Sequence, residues 1–136
     1  MENWKELLKD KQVAEFATCE GKQPRVRPMT LMYYQERFWM ATGATDNKSK
    51  QLTDNPLFEA KIALAKGDNS GYFRISGKVN NIKDPALRKE LADFSGFIYS
   101  YFNSSEDTNY VLYELLPASI RLMLPGEMTE TEVFTK

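Results

Sequence analysis

The sequence has 136 residues, of which 42% are hydrophobic and 27% are charged, and its formal net charge is -1. This length and mixture predict one globular domain over residues 1–136, and the small net charge argues against a nucleic-acid binder that relies on a broad positive field. Histidine is absent and Cys19 is the one cysteine, which excludes Ser-His-Asp and Cys-His catalysis, an intramolecular disulfide and a multi-cysteine zinc site.

The first half of the chain predicts three strands between two short helices. Apolar residues have helical spacing over 4–11, and the segments 13–19, 25–34 and 38–42 are typical of strands joined by tight polar turns. A second helix is expected over 45–55, which begins at capping residues and stops before a proline. The three strands should form an antiparallel meander.

The next part of the chain predicts two strands and a longer helix. The segments 57–65 and 72–80 have strand character, and the second alternates apolar and polar residues as a half-buried strand does. The segment 84–102 predicts one helix, because Pro85 suits the first helical position and an apolar stripe follows it.

Two closing strands, over 110–115 and 119–124, are expected on either side of Pro117, before a polar and acidic tail that we expect to be loosely ordered and solvated. Short strands with inserted helices favour a mainly β fold, an antiparallel split β-barrel, over the alternating units of a parallel sheet. The chain has no run of about 20 apolar residues that would span a bilayer and no signal-peptide pattern. We therefore expect a cytoplasmic protein with no membrane or nucleic-acid partner.

Two arginines are the first candidates for binding chemistry. The period of a strand puts Arg25 and Arg27 on one face together with Met29. Neighbouring arginines repel each other unless an anion lies between them, although a solvated face with glutamate partners is an alternative. Pro28 cannot donate to a strand ladder, so it indicates an edge or a bulge.

The segment from Met40 to Leu52 is the second candidate, because a strand there runs through small residues into a helix N-terminus. Backbone N–H groups and the helix dipole favour an anion at such a junction. Lys48 and Lys50 lie near the first turn, where a positive charge interacts unfavourably with the helix dipole. A bound anion would reverse this effect, although nearby aspartates that neutralise the lysines are an alternative explanation. Neither segment has the spacing of a Walker A loop or a Rossmann fingerprint.

Three segments together resemble the pyridoxamine 5'-phosphate oxidase-like FMN-binding split-barrel superfamily. They are EFATCEGKQPRVRPM, FWMATGATDNKSKQLTDNP and GYFRISGKV. Their order and intervals are similar to those of the family from the first strand to about Asp84. The resemblance implies a homodimer that binds FMN at its interface and works as an oxidoreductase on an unknown small molecule, with no catalytic residue identified.

The resemblance also implies a set of cofactor-binding positions. They are Arg25, Val26, Arg27, Pro28, Met29, Ala41, Thr42, Lys48, Lys50, Gln51 and Tyr72. Within this set, Arg27 and Lys48 match the positions that contact phosphate, and Tyr72 matches a residue that reaches the flavin from the other subunit.

The chain departs from the family pattern at two places. The familiar Ser-Arg-Lys triplet is Asp46-Asn47-Lys48 here, so one cation is replaced and an acid appears, with Lys50 as a substitute cation. The C-terminal Arg and His pattern of true pyridoxamine phosphate oxidases is absent, which argues against that substrate.

Other interpretations remain open from the sequence. A flavin carrier or sensor without turnover, or the same fold with a deazaflavin or haem, is compatible with it; the missing histidine disfavours haem. Cys19 is more typical of a small core residue than of a redox thiol. Five aromatic residues are candidates to line a substrate cavity, although core or dimer contacts explain them as well. They are Tyr99, Tyr101, Phe102, Tyr110 and Tyr113.

Overall fold

The computed structural model describes residues 3–136, and these fold into seven strands that pair antiparallel with their neighbours. The strands are β1 (Lys11–Glu20), β2 (Gln23–Tyr34), β3 (Arg37–Gly43), β4 (Leu57–Lys66), β5 (Asn69–Ile82), β6 (Tyr110–Met123) and β7 (Thr131–Thr135). The helices are α1 (Asn47–Asp54), α2 (Pro85–Ser95) and α3 (Ile98–Tyr101), and a 3-10 turn at Trp4–Leu7 precedes the first strand.

These strands form one sheet that closes on itself. Their order is β3-β2-β1-β4-β5-β6-β7, and an additional pairing joins β3 to β6. The N-terminal half of β6 pairs with β3, from Tyr110 opposite Gly43 to Leu115 opposite Phe38, whereas its C-terminal half pairs with β7. The ring is therefore closed along one half of β6 and split along the other, which confirms the antiparallel split barrel.

The barrel interior is filled by large apolar side chains at alternate strand positions. Phe16 stacks on Phe58 with ring centroids 5.4 Å apart, and Phe73 and Ile75 are fully buried in the same cluster. Full burial of a side chain of this size contributes roughly 1.5–3 kcal/mol. The alternation on β5 confirms the half-buried strand expected there, because Phe73 and Ile75 face inward while Arg74 is half-exposed.

Helices α2 and α3 cover the opposite face of β2, β3 and β6. There Met32 and Trp39 are fully buried against Leu91 of α2 and Ile98 of α3. Side chains next to one another on a strand thus belong to different clusters, since Leu31 points into the barrel and Met32 away from it. This second cluster fixes the helical segment independently of the barrel interior.

Helix α1 joins β3 to β4 and ends where Asn55 becomes extended before a proline. Leu52 anchors it in the barrel cluster, and Gln51 is buried toward β1. With these two side chains held, the first turn of α1 and Lys48 lie beside β2 and the end of β3.

Four predictions about secondary structure are corrected, of which the first three concern the helices and the tail. The expected helix over 84–102 is broken at Gly96, which adopts the left-handed conformation at φ 73° that a residue without Cβ favours. The helix expected over 4–11 is only the 3-10 turn, because Lys11 already pairs with Met32. The acidic tail is ordered, since β7 pairs along β6.

The expected break at Pro117 is also absent, because β6 runs continuously through it. The register between β5 and β6 shifts between Ser76 and Gly77, which lies opposite Pro117. A proline is tolerated at such an irregularity, where the ladder does not need its missing N–H. Gly77 is required there, because a Cβ would run into the backbone of Leu116.

Candidate functional site

Two adjoining clefts lie where β2, β3 and α1 meet. The first, called the polar cleft, has a volume of about 440 Å³ and is lined by Glu20, Arg25, Val26, Arg27, Asp46, Asn47, Lys48 and Gln51. The second, called the apolar cleft, has a volume of about 480 Å³ and is lined by Pro28, Met29, Thr30, Ala41, Thr42, Gly43, Asp46, Lys48, Phe97, Tyr101 and Phe102. Asp46 and Lys48 line both, so the clefts adjoin each other at this pair, and each is within the size range of cofactor sites.

Arg27 is held in the polar cleft by the sheet itself. Its Nη1 donates to the backbone oxygen of its β1 partner Phe16 at 3.2 Å and to Thr18 Oγ1 at 2.8 Å, and its Nη2 donates to Gln51 Oε1 at 2.9 Å. Burial lowers the pKa of the guanidinium below its usual value, and the Asp46 carboxylate opposes that shift. The cation is therefore oriented before any ligand arrives.

A buried hydrogen bond joins α1 to β1 behind this arginine. Thr18 Oγ1 donates to Gln51 Oε1 at 2.5 Å, and both residues are buried. Sequence reasoning did not single out Thr18, although a signal was present. Ala14 and Phe16 share its face of β1 and point inward, so a hydroxyl at the next inward position needs a polar partner.

Lys48 is almost completely buried and is paired with one carboxylate. Its Nζ donates to Asp46 Oδ2 at 2.5 Å, and Thr42 Oγ1 donates to the same oxygen at 3.1 Å. The side chain of Lys48 is 9% exposed, whereas that of Asp46 is 48% exposed. The hydrogen bond from Lys48 holds the pKa of Asp46 below its usual value, so this carboxylate is charged at neutral pH.

The two neighbouring arginines have different environments. Arg25 is exposed and donates to Glu20 Oε1 at 2.9 Å, which is the solvated pair that the alternative interpretation expected. Among residues 3–136, Arg27 has no carboxylate partner of this kind and is instead held by Thr18 and Gln51. The family resemblance assigns the phosphate position to Arg27 and not to Arg25, and the two side chains also differ in their partners here.

Nine of the predicted cofactor-binding residues line the two clefts, and two do not. Lys50 lines neither cleft; it lines a third cavity of about 320 Å³ beside Cys19 and Asp54, which borders the polar cleft at Glu20, Asn47 and Gln51. Tyr72 lies on β5, outside both clefts, and its hydroxyl donates to Glu130. Cys19 is half-buried and lies outside both core clusters.

The five candidate aromatic residues have three different environments. Tyr101 and Phe102 line the apolar cleft, whereas Tyr110 and Tyr113 are buried in the two core clusters. Burial raises the pKa of Tyr110 to about 12. Tyr99 lies at the surface and donates to Asp93 Oδ1 at 2.6 Å.

The aromatic side of the apolar cleft also contains a residue that the sequence did not suggest. Phe97 precedes α3 and lines the cleft beside Tyr101 and Phe102. An uninterrupted helix gave no reason to place it there. Thr30, Gly43 and Asp46 are further additions to the predicted set.

Two further features are absent from the described residues, 3–136. This part of the chain holds no group of three or more His, Cys, Asp or Glu side chains arranged to bind a metal ion. None of its helices is both long enough and apolar enough to cross a membrane.

The fold and the clefts together define a split-barrel protein with two cations at a strand–helix junction beside an apolar cleft. The chain belongs to the pyridoxamine 5'-phosphate oxidase family, whose model matches residues 1–124. General stress protein 26 of Bacillus subtilis is 25% identical over 125 residues, which cover 91% of this chain and 88% of the relative.

Solved structures share the fold at low identity. A NimC/NimA family protein from Clostridium acetobutylicum has a TM-score of 0.76 at 20% identity and covers 88% of this chain and 81% of its own. A FAD-binding protein from Mesorhizobium loti has a TM-score of 0.69 at 16% identity, over 87% of each chain. A heme binding protein from Mycobacterium smegmatis has a TM-score of 0.74 at 15% identity, over 90% of this chain and 53% of its own.

Proposed function

We propose that this protein binds FMN in the joined clefts and is a flavin-dependent oxidoreductase acting on a small molecule. The observation that carries the proposal is the position of two cations beside an apolar cleft, with Lys48 lining that cleft and Arg27 lining the adjoining polar cleft. A ligand that fits this arrangement has an anionic end and a large apolar ring system. FMN has both, and the family of the chain and its FAD-binding structural neighbour favour a flavin.

The residues present fit such a ligand in charge and in shape. Arg27 and Lys48 would hold the phosphate, because both are prepositioned donors that form charge-assisted hydrogen bonds. Pro28, Met29 and Ala41 would lie along the flavin ring, since they form the apolar wall continuous with the cations. The fit is imperfect at Asp46, whose carboxylate lies next to Lys48.

The chain supplies binding and orientation, and the flavin, when bound, supplies hydride acceptance and donation. Without histidine, the sequence lacks the most common general base. Tyr101 and Phe102 would exclude water from the mouth of the apolar cleft and contact the substrate. This division of labour needs no protein nucleophile.

A homodimer is part of the proposal. Tyr72 lies outside the clefts of its own protomer, so it would contribute to a flavin site only from a partner subunit. Large side chains at the cleft rims are also uncovered in one chain, with Val26 67% exposed and Tyr101 76% exposed. A second copy related by a two-fold axis would cover them. We place this dimer in the cytoplasm.

The absorbance spectrum of the purified protein tests the cofactor class. After incubation with FMN and removal of unbound ligand, we expect oxidised-flavin bands at about one flavin per chain, in a dimer by sedimentation. A Soret band after parallel incubation with haem, together with no retained flavin, would favour the heme binding neighbour's chemistry and reject the proposal.

Anaerobic addition of NADH or NADPH separates an enzyme from a carrier. Bleaching of the bound flavin, followed by reoxidation by a small acceptor, is the expected result. A different result would leave a flavin carrier or sensor as the function. In that case the protein retains flavin, but neither NADH nor NADPH reduces it, and the acceptor does not reoxidise flavin that dithionite has reduced.

A further inference from the structure

We propose that Asp46 is an internal anion that competes with the phosphate of the ligand for Lys48 and thereby sets the preference of the site between phosphorylated and unphosphorylated flavins. The proposal rests on the proposed function, since it concerns the same cleft. It assigns to Asp46 a role in specificity that is distinct from anchoring.

The first support is the geometry of the pair. Lys48 Nζ contacts Asp46 Oδ2 at 2.5 Å, and the same oxygen accepts from Thr42. Lys48 is the buried partner and Asp46 is the exposed one, at 9% and 48% side-chain exposure. When a phosphate enters the cleft, the exposed carboxylate is therefore the group that moves, and the ammonium stays in place.

The second support is that helix capping does not explain the position of Asp46. It is the residue immediately before α1, where an aspartate commonly accepts a hydrogen bond from the backbone N–H two or three residues further on. Its side chain makes no such capping bond, and the backbone N–H of the adjacent Asn47 lowers its pKa less than Lys48 does. The carboxylate instead points to Lys48 and Thr42, which leaves compensation of the buried lysine as its structural contribution.

The third support is the balance of charge around the cleft. Arg27 on β2 and Lys48 on α1 face Asp46, while Glu20 on β1 is already paired with Arg25. The carboxylate of Asp46 thus offsets one of the two positive charges that a phosphate would meet in the cleft. The hydrogen bond from Lys48 also keeps the pKa of Asp46 low, so protonation does not remove this competition near neutral pH.

Asp46→Asn tests the proposal, because it removes the charge and keeps the size. We expect FMN affinity to rise about ten-fold, the order of one lost charge–charge interaction, while riboflavin affinity changes less than about two-fold. Asp54→Asn is the matched control, since it removes the same charge from the last residue of α1, outside both clefts. An unchanged ratio of FMN to riboflavin affinity in Asp46→Asn, or weaker FMN binding, overturns the proposal.

Stabilisation by inorganic phosphate is a second test of the role of Asp46, and it does not need flavin. At matched ionic strength, phosphate should raise the melting temperature of Asp46→Asn more than that of the unsubstituted protein, and adding Lys48→Met should abolish the difference. If no flavin binds to any variant, the proposed function fails and this measurement alone decides the role of Asp46. Equal stabilisation of all three proteins by phosphate rejects it.

Discussion

Two regions of the molecule each place two cationic side chains around one carboxylate. In the polar cleft, Arg27 and Lys48 lie near Asp46. In the second region, called the Glu130 cluster, Arg74 and Arg121 surround Glu130 together with Tyr72. Glu130 Oε1 accepts from Arg74 Nη2 and from Arg121 Nε, both at 2.7 Å, and its Oε2 accepts from Tyr72.

The difference between the two regions is the extent to which the chain satisfies its own charges. Glu130 uses both oxygens, and its three hydrogen bonds lower its pKa to about 2. Asp46 accepts from Lys48 and Thr42 through one oxygen and adjoins open volume. A cluster of charge therefore indicates a binding site only where donors outnumber the acceptors that the chain provides and space remains for a ligand.

Removing the buried lysine should have the largest effect on the polar cleft. Lys48→Met keeps the aliphatic stem and removes the charge, so FMN affinity should fall about ten- to hundred-fold, while riboflavin affinity changes little. Titration of both ligands measures this. Lys50→Met is the matched control on the same helix and should leave both affinities within about two-fold. Equal losses of FMN and riboflavin would show that Lys48 does not contact the phosphate.

The arginine pair sharpens the comparison within the cleft itself. Arg27→Gln should lower FMN affinity about ten-fold, and it should lower the melting temperature of the free protein because Thr18 and Gln51 lose a partner. Arg25→Gln removes only an exposed pair and should change both quantities little. The two variants are compared by FMN titration and by melting curves without flavin. If Arg27→Gln binds FMN as tightly as Arg25→Gln and the unsubstituted protein do, Arg27 has only a structural role.

The Glu130 cluster should respond in stability and not in flavin affinity. Because the pKa of Glu130 is lowered to about 2 from the ordinary value of 4.5, its contribution is present above pH 4.5 and is lost as the pH falls toward 2. Glu130→Gln should therefore melt below the unsubstituted protein at neutral pH, and the gap should close through that window. A constant gap across the window, or an altered FMN affinity, would contradict this assignment.

The sequence predicted the parts of the fold that depend on local pattern. The alternation of β5, the bounds of α1 and the placement of Arg27 and Lys48 in one cleft followed from period and order along the chain. The break at Gly96 was missed, because the apolar stripe continues across it and only the left-handed backbone shows the interruption.

The remaining errors concern tertiary partners that no local pattern shows. The acidic tail looked solvated, yet Glu130 is bound by arginines from β5 and β6. The sequence predicted Lys50 as a substitute for the missing cation, but Lys50 lines neither cleft, because residues two positions apart point to different sides of a helix. The sequence shows that an aspartate occupies the first position of the triplet. It does not show that this carboxylate contacts Lys48 and Thr42, because that contact depends on the fold.

The break at Gly96 begins the segment that supplies the aromatic wall of the apolar cleft, whereas the two cations come from other elements. Tyr101 and Phe102 come from the segment after it, which packs through Ile98 on the far face of the sheet. The cations come from β2 and α1, which a hydrogen bond from Arg27 to Gln51 joins. Under the proposed function, an engineer could therefore vary the aromatic wall of the apolar cleft while leaving the two cations in place.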